Sequence, residues 1–273
     1  LPAGAGLLWK ARTTPTPSPA PAASLVRLSG TARVQPPGRP SLELSGTGAL
    51  GRPVIAGSEV ETDSRSALAL RMAGGASVRL DASTRLRLVE TDLLELAAGA
   101  VYVDTGAVAG DVGVSVRTPA GLFRPLGTQF EVRVEPSGSA RLRVRRGTVS
   151  LDGRGERAAA GEELTVQGDG TIARGSVASE GEAWGWAMRA APMLDIEGTR
   201  LMDYLDWIAR EAGWRVEFED RAAASRAEST VLHGSIDHLT PEESPGAVLS
   251  SCGMGHRLSD GVLVVFVEPP AGK

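Results

Sequence analysis

The feature that most limits the architecture is a succession of short apolar runs between Leu25 and about Arg174, each ended by Gly, Asp, Ser or Pro. "VIAGSEVET", "SALALRM", "ASVRLD", "RLRLVE", "LLELAAGAVYVD", "TQFEVRVE", "ARLRVRRGTVSL" and "EELTVQGDGTIA" are alternating or continuously apolar. Runs of this kind, recurring roughly every 8–12 residues, predict an all-β domain over residues 25–175, either a sandwich or a solenoid-like stack of short strands. Composition agrees: 34 Gly and 17 Pro with only 4% aromatic residues suit short strands and tight turns better than a helical bundle. Within "TPAGLFRPLGTQFEV", Pro119 presets a turn from Thr118 to Gly121, and Pro125 forces Leu122–Arg124 to be extended. Gly127 then permits a sharp bend into a new strand whose Phe130, Val132 and Val134 share one face. In "RLRVRR" (141–146), alternation predicts Leu142 and Val144 inward and the arginines on a solvated face.

The flanks read differently. "ARTTPTPSPAPAAS" (11–24) holds four prolines among small residues and predicts an extended spacer. Ahead of it, "LPAGAGLLWK" (1–10) is too short to span a bilayer, which takes ~20 residues. It reads either as the outer end of a membrane helix, with Trp9 at the headgroup level, or as an ordinary apolar tail. After a connector at 176–192 that carries Trp184 and Trp186, the period changes. Residues 193–268 predict a small α+β module in the order β-α-β-β-α-β-β, and 269–273 a tail. "MLDIEG" reads as its first strand. "TRLMDYLDWIAREAG" follows as a helix capped by Thr199 and closed by Gly213. "WRVEFED" and "VLHGS" read as strands, and "TPEE" (240–243) as a capping box. Pro245 interrupts that second helix, which is expected to restart with Ser244 as cap and run to Cys252. "GHRLSDGVLVVFV" closes as a hairpin turning at Ser259–Gly261.

Chemistry is hard to place on this chain. A net charge of −4, without a basic stripe interleaved with aromatics, argues against nucleic acid. The lone Cys252 excludes an internal disulfide or a cysteine zinc cluster. His233, Asp237 and His238 have no metal-ligand spacing, because positions 233 and 238 of a strand face opposite ways. "AGGAS" lacks the strand-to-helix context and the lysine of a phosphate loop, and no nucleophile elbow is present. The acidic pairs Glu61/Asp63 and Glu162/Glu163 read as solvated turn carboxylates. No catalytic residue, cofactor or metal is expected. Trp207 falls at the rim of its helix's apolar stripe, either capping the domain junction or anchoring a partner; Trp184 and Trp186 carry the same two readings, with packing between the modules favoured. The strand at 214–219, with Trp214, Arg215, Glu217 and Glu219, is available to pair with a partner's edge.

Taken in order, Gly99, Val101, Tyr102, Val116, Thr118, Pro119, Gly121, Gly127, Thr128, Phe130 and Val132 resemble the pattern of the FecR-like ferric-citrate sensors, over about residues 46–167. "L-x-x-Y-L-x-x-I-A-x-x-A-G" with the later "TPEE" is similar to the short secretin-and-TonB N-terminal domain. The resemblance implies the periplasmic region of a single-pass inner-membrane regulator. Its partner would be the signalling domain of an outer-membrane TonB-dependent transporter, with an extracytoplasmic-function sigma factor controlled through residues upstream. Membrane contact would come only through an N-terminal anchor. Other readings are an envelope module that binds glycan or lipid, an envelope hydrolase, and a component of a secretin-type assembly. The three aromatics of the β domain (Tyr102, Phe123 and Phe130) are few for sugar stacking.

Overall fold

The computed structural model describes residues 20–106, 113–237 and 239–268. Residues 1–10, most of the spacer at 11–24, His238 and the tail at 269–273 lie outside them. The body begins with β1 (Pro21–Ser29), β2 (Thr31–Gln35), β3 (Leu42–Ser45), β4 (Pro53–Ile55) and β5 (Glu59–Thr62). It continues with β6 (Ala67–Met72), β7 (Ser77–Leu80), β8 (Arg85–Leu88), β9 (Leu93–Asp104) and β10 (Ser115–Thr118). β11 (Gly121–Val134), β12 (Ala140–Leu151), β13 (Glu156–Ala159), β14 (Glu162–Val166) and β15 (Ile172–Ser176) complete it. The first strand therefore starts inside the expected spacer. Ala22 and Ala23 are small enough to bury against β6, and Pro21 sits at the strand's first position, where a missing N–H is tolerated.

Three long strands organise this sheet by bending at glycines. Leu93–Ala98 of β9 pairs with β8 and β10, whereas Gly99–Asp104 pairs with β7 and β11. β11 and β12 likewise change neighbours on either side of Gly127 and Gly147. The pairings thus divide into an upper layer, β4-β1-β6-β7-β9-β11-β12-β14-β15, and a lower layer, β3-β2-β5-β8-β9-β10-β11-β12-β13. Side chains from both layers, including Val78, Val101, Leu86, Leu94, Phe123 and Phe130, form one apolar core. Strands that switch layers at bends make the corners of such a sandwich. Gly99 has φ 82°, and a Cβ there would lie 2.4 Å from Thr84 Oγ1 and 2.8 Å from Ser83 O. Gly127 bends β11 without ending it: φ is 66°, and a register shift follows, so Phe130, Val132 and Val134 continue the same strand. Thr118 Oγ1 closes the Pro119 turn by donating to Gly121 O and accepting from Ala120 N.

The connector contains α1 (Gly185–Arg189), and the C-terminal module contains α2 (Leu201–Ala212), β16 (Arg215–Phe218), α3 (Arg221–Ser229), α4 (Ser244–Ser251), β17 (Met254–Ser259) and β18 (Val262–Val267). Its three-stranded sheet has the order β16-β18-β17, with β16 parallel to β18. One face of the sheet shares an apolar core with α2, α3 and α4 through Tyr204, Ile208, Ala223, Ala227, Leu249 and Leu263. Asp260 and Gly261, both with positive φ, make the hairpin turn that joins β17 to β18.

The expected β-α-β-β-α-β-β order and its helix caps are corrected as follows. "MLDIEG" is not a strand, and "VLHGS" contributes only an isolated bridge between Arg200 and Val231. α3 lies between these two segments, where no helix was expected; Asp220 caps it by accepting from Ala223 N at 2.8 Å, and its alanines favour the helix. Thr199 does not cap α2, since its hydroxyl donates to Asp195 O. Thr240 and Glu243 do bond reciprocally, but the helix follows them from Ser244. The Ser244 hydroxyl bonds Tyr204 Oη and Pro241 O in place of a cap.

Candidate functional site

The outer face of the upper layer is where the two modules meet. Alternation that sends Val78, Val101, Val103 and Phe130 inward sends Arg79, Tyr102, Asp104 and Glu131 outward. Register then aligns Arg79, Tyr102, Glu131, Arg143 and Glu163 across β7, β9, β11, β12 and β14. A face of this composition belongs in water, yet Arg79, Tyr102 and Glu131 are each at most 1% exposed. The connector and the C-terminal end of α2 cover them.

Each charge brought into this junction is met by a partner. Arg79 donates from Nη2 to Glu211 Oε1 at 2.8 Å, its Nη1 lies 2.7 Å from Glu211 Oε2 as an ion-pair contact, and Nη1 donates its hydrogen bond to Ala187 O. Its guanidinium lies 5.0 Å from the centre of the Tyr102 ring, and Trp184 meets that ring edge-on at 6.0 Å. Asp104 accepts from Arg210, from Gln129 Nε2 at 2.9 Å and from Gly106 N. Burial pushes the Asp104 carboxyl up, but the Arg210 bonds and charge, the Gly106 N–H and Arg79 outweigh it and hold it below its usual value. The Tyr102 hydroxyl is pushed up by burial.

The last carbonyls of a helix lack partners within it. Here Gln129 Nε2 donates to Arg210 O, and Arg145 Nη1 donates to Glu211 O at 2.7 Å. Arg145 also reaches Ser179 O and stacks 5.2 Å from Trp184. This overturns the expectation that every arginine of 141–146 is solvated. Arg145 is 4% exposed, because the strand's register shifts there and α2 seats a cation at its negative end. Gly213, with φ 76°, ends α2 as expected, and a Cβ on it would strike Ser179 O. Trp184 donates to Ala178 O, and Trp186 donates to the buried Glu131 carboxylate at 2.5 Å. Both connector tryptophans pack between the modules, and Trp184 is wholly buried.

The expected partner residues separate into two groups. Trp214 packs in the core of the module, so it is not presented to a partner. Trp207 is half-buried, 5.8 Å from the Tyr204 ring, and lines a small cleft at the junction with Arg79, Asp104 and Glu211. Arg215, Glu217 and Glu219 are exposed. Arg215 and Glu217 share the sheet face opposite the helices with Val262, Val264 and Phe266 of β18, and Glu219 reaches across to Arg257 of β17 at 2.8 Å. Arg215 N and Glu219 N donate toward β18, to Gly261 O and Val265 O. The main-chain groups of Val216 and Phe218 therefore point to the other edge, where no strand pairs with β16 among the described residues. Apart from Trp184, Trp186 and Trp207, the junction residues escape a reading of the sequence, because nothing local marks a charged outward face as covered.

Among the described residues no group of three His, Cys, Asp or Glu side chains is placed to hold a metal. His233 sits on the surface against Glu197. No helix among the described residues is long and apolar enough to cross a membrane.

Comparison with known proteins points to the body. Residues 58–150 match the family model described as FecR protein. That segment spans the bent strands and contributes Arg79, Tyr102, Asp104, Gln129, Glu131 and Arg145, the body's side of the junction. No curated protein matches the chain. Two crystal structures of a candidate anti-sigma factor from Parabacteroides distasonis ATCC 8503, at 1.65 and 2.50 Å resolution, are similar at 18% identity. They align with 77% of this chain and 99% of their own, with a TM-score of 0.40.

Proposed function

We propose that this chain is the periplasmic, signal-receiving region of a FecR-like anti-sigma regulator and works by protein contact without catalysing a reaction. The FecR match over residues 58–150 supports the regulator class. In this reading the α+β module is a short secretin-and-TonB N-terminal domain. It receives the signalling domain of an iron-loaded TonB-dependent transporter and relays its state toward an extracytoplasmic-function sigma factor at the inner membrane.

The observation that carries the reading is the open side of the β16-β18-β17 sheet. An unpaired strand edge flanked by an apolar stripe and rimmed by Arg215, Glu217, Glu219 and Arg257 suits a partner that adds a strand. The junction complements it, because a module clamped to the body by ion pairs passes on a load without swivelling. The test is calorimetric titration with the signalling domain of a cognate transporter. Val216→Pro deletes an edge-facing N–H together with some packing on the module core, whereas Glu217→Lys, at an exposed position, reverses only a charge on the open face. Each should weaken binding at least about tenfold, a loss of about 1.4 kcal/mol, and Glu217→Lys should do so with the thermal midpoint unchanged. Absence of binding by the unaltered chain would dismiss the transporter as partner. Equal binding by both variants would dismiss the β16 edge.

A further inference from the structure

We propose a second, separate site: a cleft at the opposite end of the body that binds a single-chain anionic amphiphile, of which a free fatty acid is the simplest. The cleft holds about 420 Å³, within the range of roughly 300–1,000 Å³ usual for small-molecule sites. Its walls are apolar and come from both layers: Pro21, Val34, Leu42, Leu44, Val54 and Ile55. Leu42 is 47% exposed, although an apolar side chain on an edge strand gains nothing from facing water.

Two polar features select the ligand. Ser58 lines the cleft, is 0% exposed, and its Oγ has no hydrogen-bond partner among the described residues. A buried hydroxyl left unpaired is a defect that a ligand acceptor would repair. Arg39 and Arg52 also line the cleft, both exposed, and neither has a carboxylate within ion-pairing distance among the described residues. An unbranched alkyl chain satisfies the apolar walls, and a carboxylate offers one oxygen to the hydroxyl and charge to the arginines. A sugar lacks the apolar body for these walls, and a cationic amphiphile meets two like charges.

The test uses the full chain, with displacement of 11-(dansylamino)undecanoic acid by laurate below its micellar threshold. Saturable one-to-one binding is expected, with lauryl alcohol at least about tenfold weaker. Arg39→Ala with Arg52→Ala should erase that preference. Ser58→Ala should weaken laurate about threefold, and Leu42→Glu, at an exposed position that folding tolerates, at least about tenfold. The proposal is overturned if laurate does not saturate, if Leu42→Glu binds as well as the unaltered chain, or if binding appears only after residues 1–19 are deleted. That last result would give the cleft to the chain's own N-terminal segment.

Discussion

The outer face of the upper layer and the open face of the small sheet are both built from strands with charged residues at alternate positions. On the first, Arg79, Glu131 and Arg145 are almost fully buried; on the second, Arg215, Glu217 and Glu219 stay in water. Local pattern does not separate them. What separates them is whether another element lies on top, and that depends on the connector and on where α2 ends. In the buried face every charge has become structural, held by a partner that cannot be replaced by solvent. In the open face the charges remain solvated, and the Glu219–Arg257 pair is exposed to water.

The largest effect should come from breaking the buried pair. Glu211→Ala strands the Arg79 guanidinium at 1% exposure and should destabilise the protein by about 3–5 kcal/mol in urea unfolding followed by tryptophan fluorescence. Replacing both partners, Arg79→Met with Glu211→Leu, should recover most of that loss, because the burial penalty disappears with the charges. A Glu211→Ala variant as stable as the parent would show that the junction is not closed in solution.

Acid should open the same junction more gradually. Asp104 is held below its usual value of 3.8 in the folded protein. Its contribution is therefore complete above about pH 3.8 and is lost as pH falls through the depressed folded value. Asp104→Asn lacks this component, so the stability gap between it and the parent should be widest near neutrality and narrow as pH falls from about 4 toward 2. A gap that stays constant over that range would mean the Asp104 charge contributes nothing to holding α2.

The smallest effect belongs to the open face. Glu219→Ala removes an ion pair between side chains 47% and 60% exposed, and should change stability by at most about 0.2–1 kcal/mol, less in high salt. A loss several-fold larger would mean that the small sheet's surface is also a structural interface, and the contrast between the faces would fall.

Much of the body was legible. β6, β9, β11 and β12 alternate as their sequences do, and Gly99, Gly127 and the Thr118–Gly121 turn fall where backbone geometry demands them. That Gly99 and Gly127 are layer switches was not legible, since a bend in one strand says nothing of which neighbours lie on either side. In the module, α2 and its Gly213 end were readable. α3 was missed although Asp220 and its alanines signal it, because the apolar stripe that usually marks a helix is thin there. The Ile196 side chain is buried without any strand ladder, so an apolar run mimicked a strand.

Local periods, turns and the strand-rich character of the body follow from the sequence, because side-chain alternation and glycine conformations are properties of neighbouring residues. Contacts between distant segments make Arg79, Asp104 and Arg145 clamps and leave Glu217 and Glu219 on the surface. Burial of a charge depends on a partner more than sixty residues away in the chain, as Arg145 and the Glu211 carbonyl show. No window of sequence contains that distance.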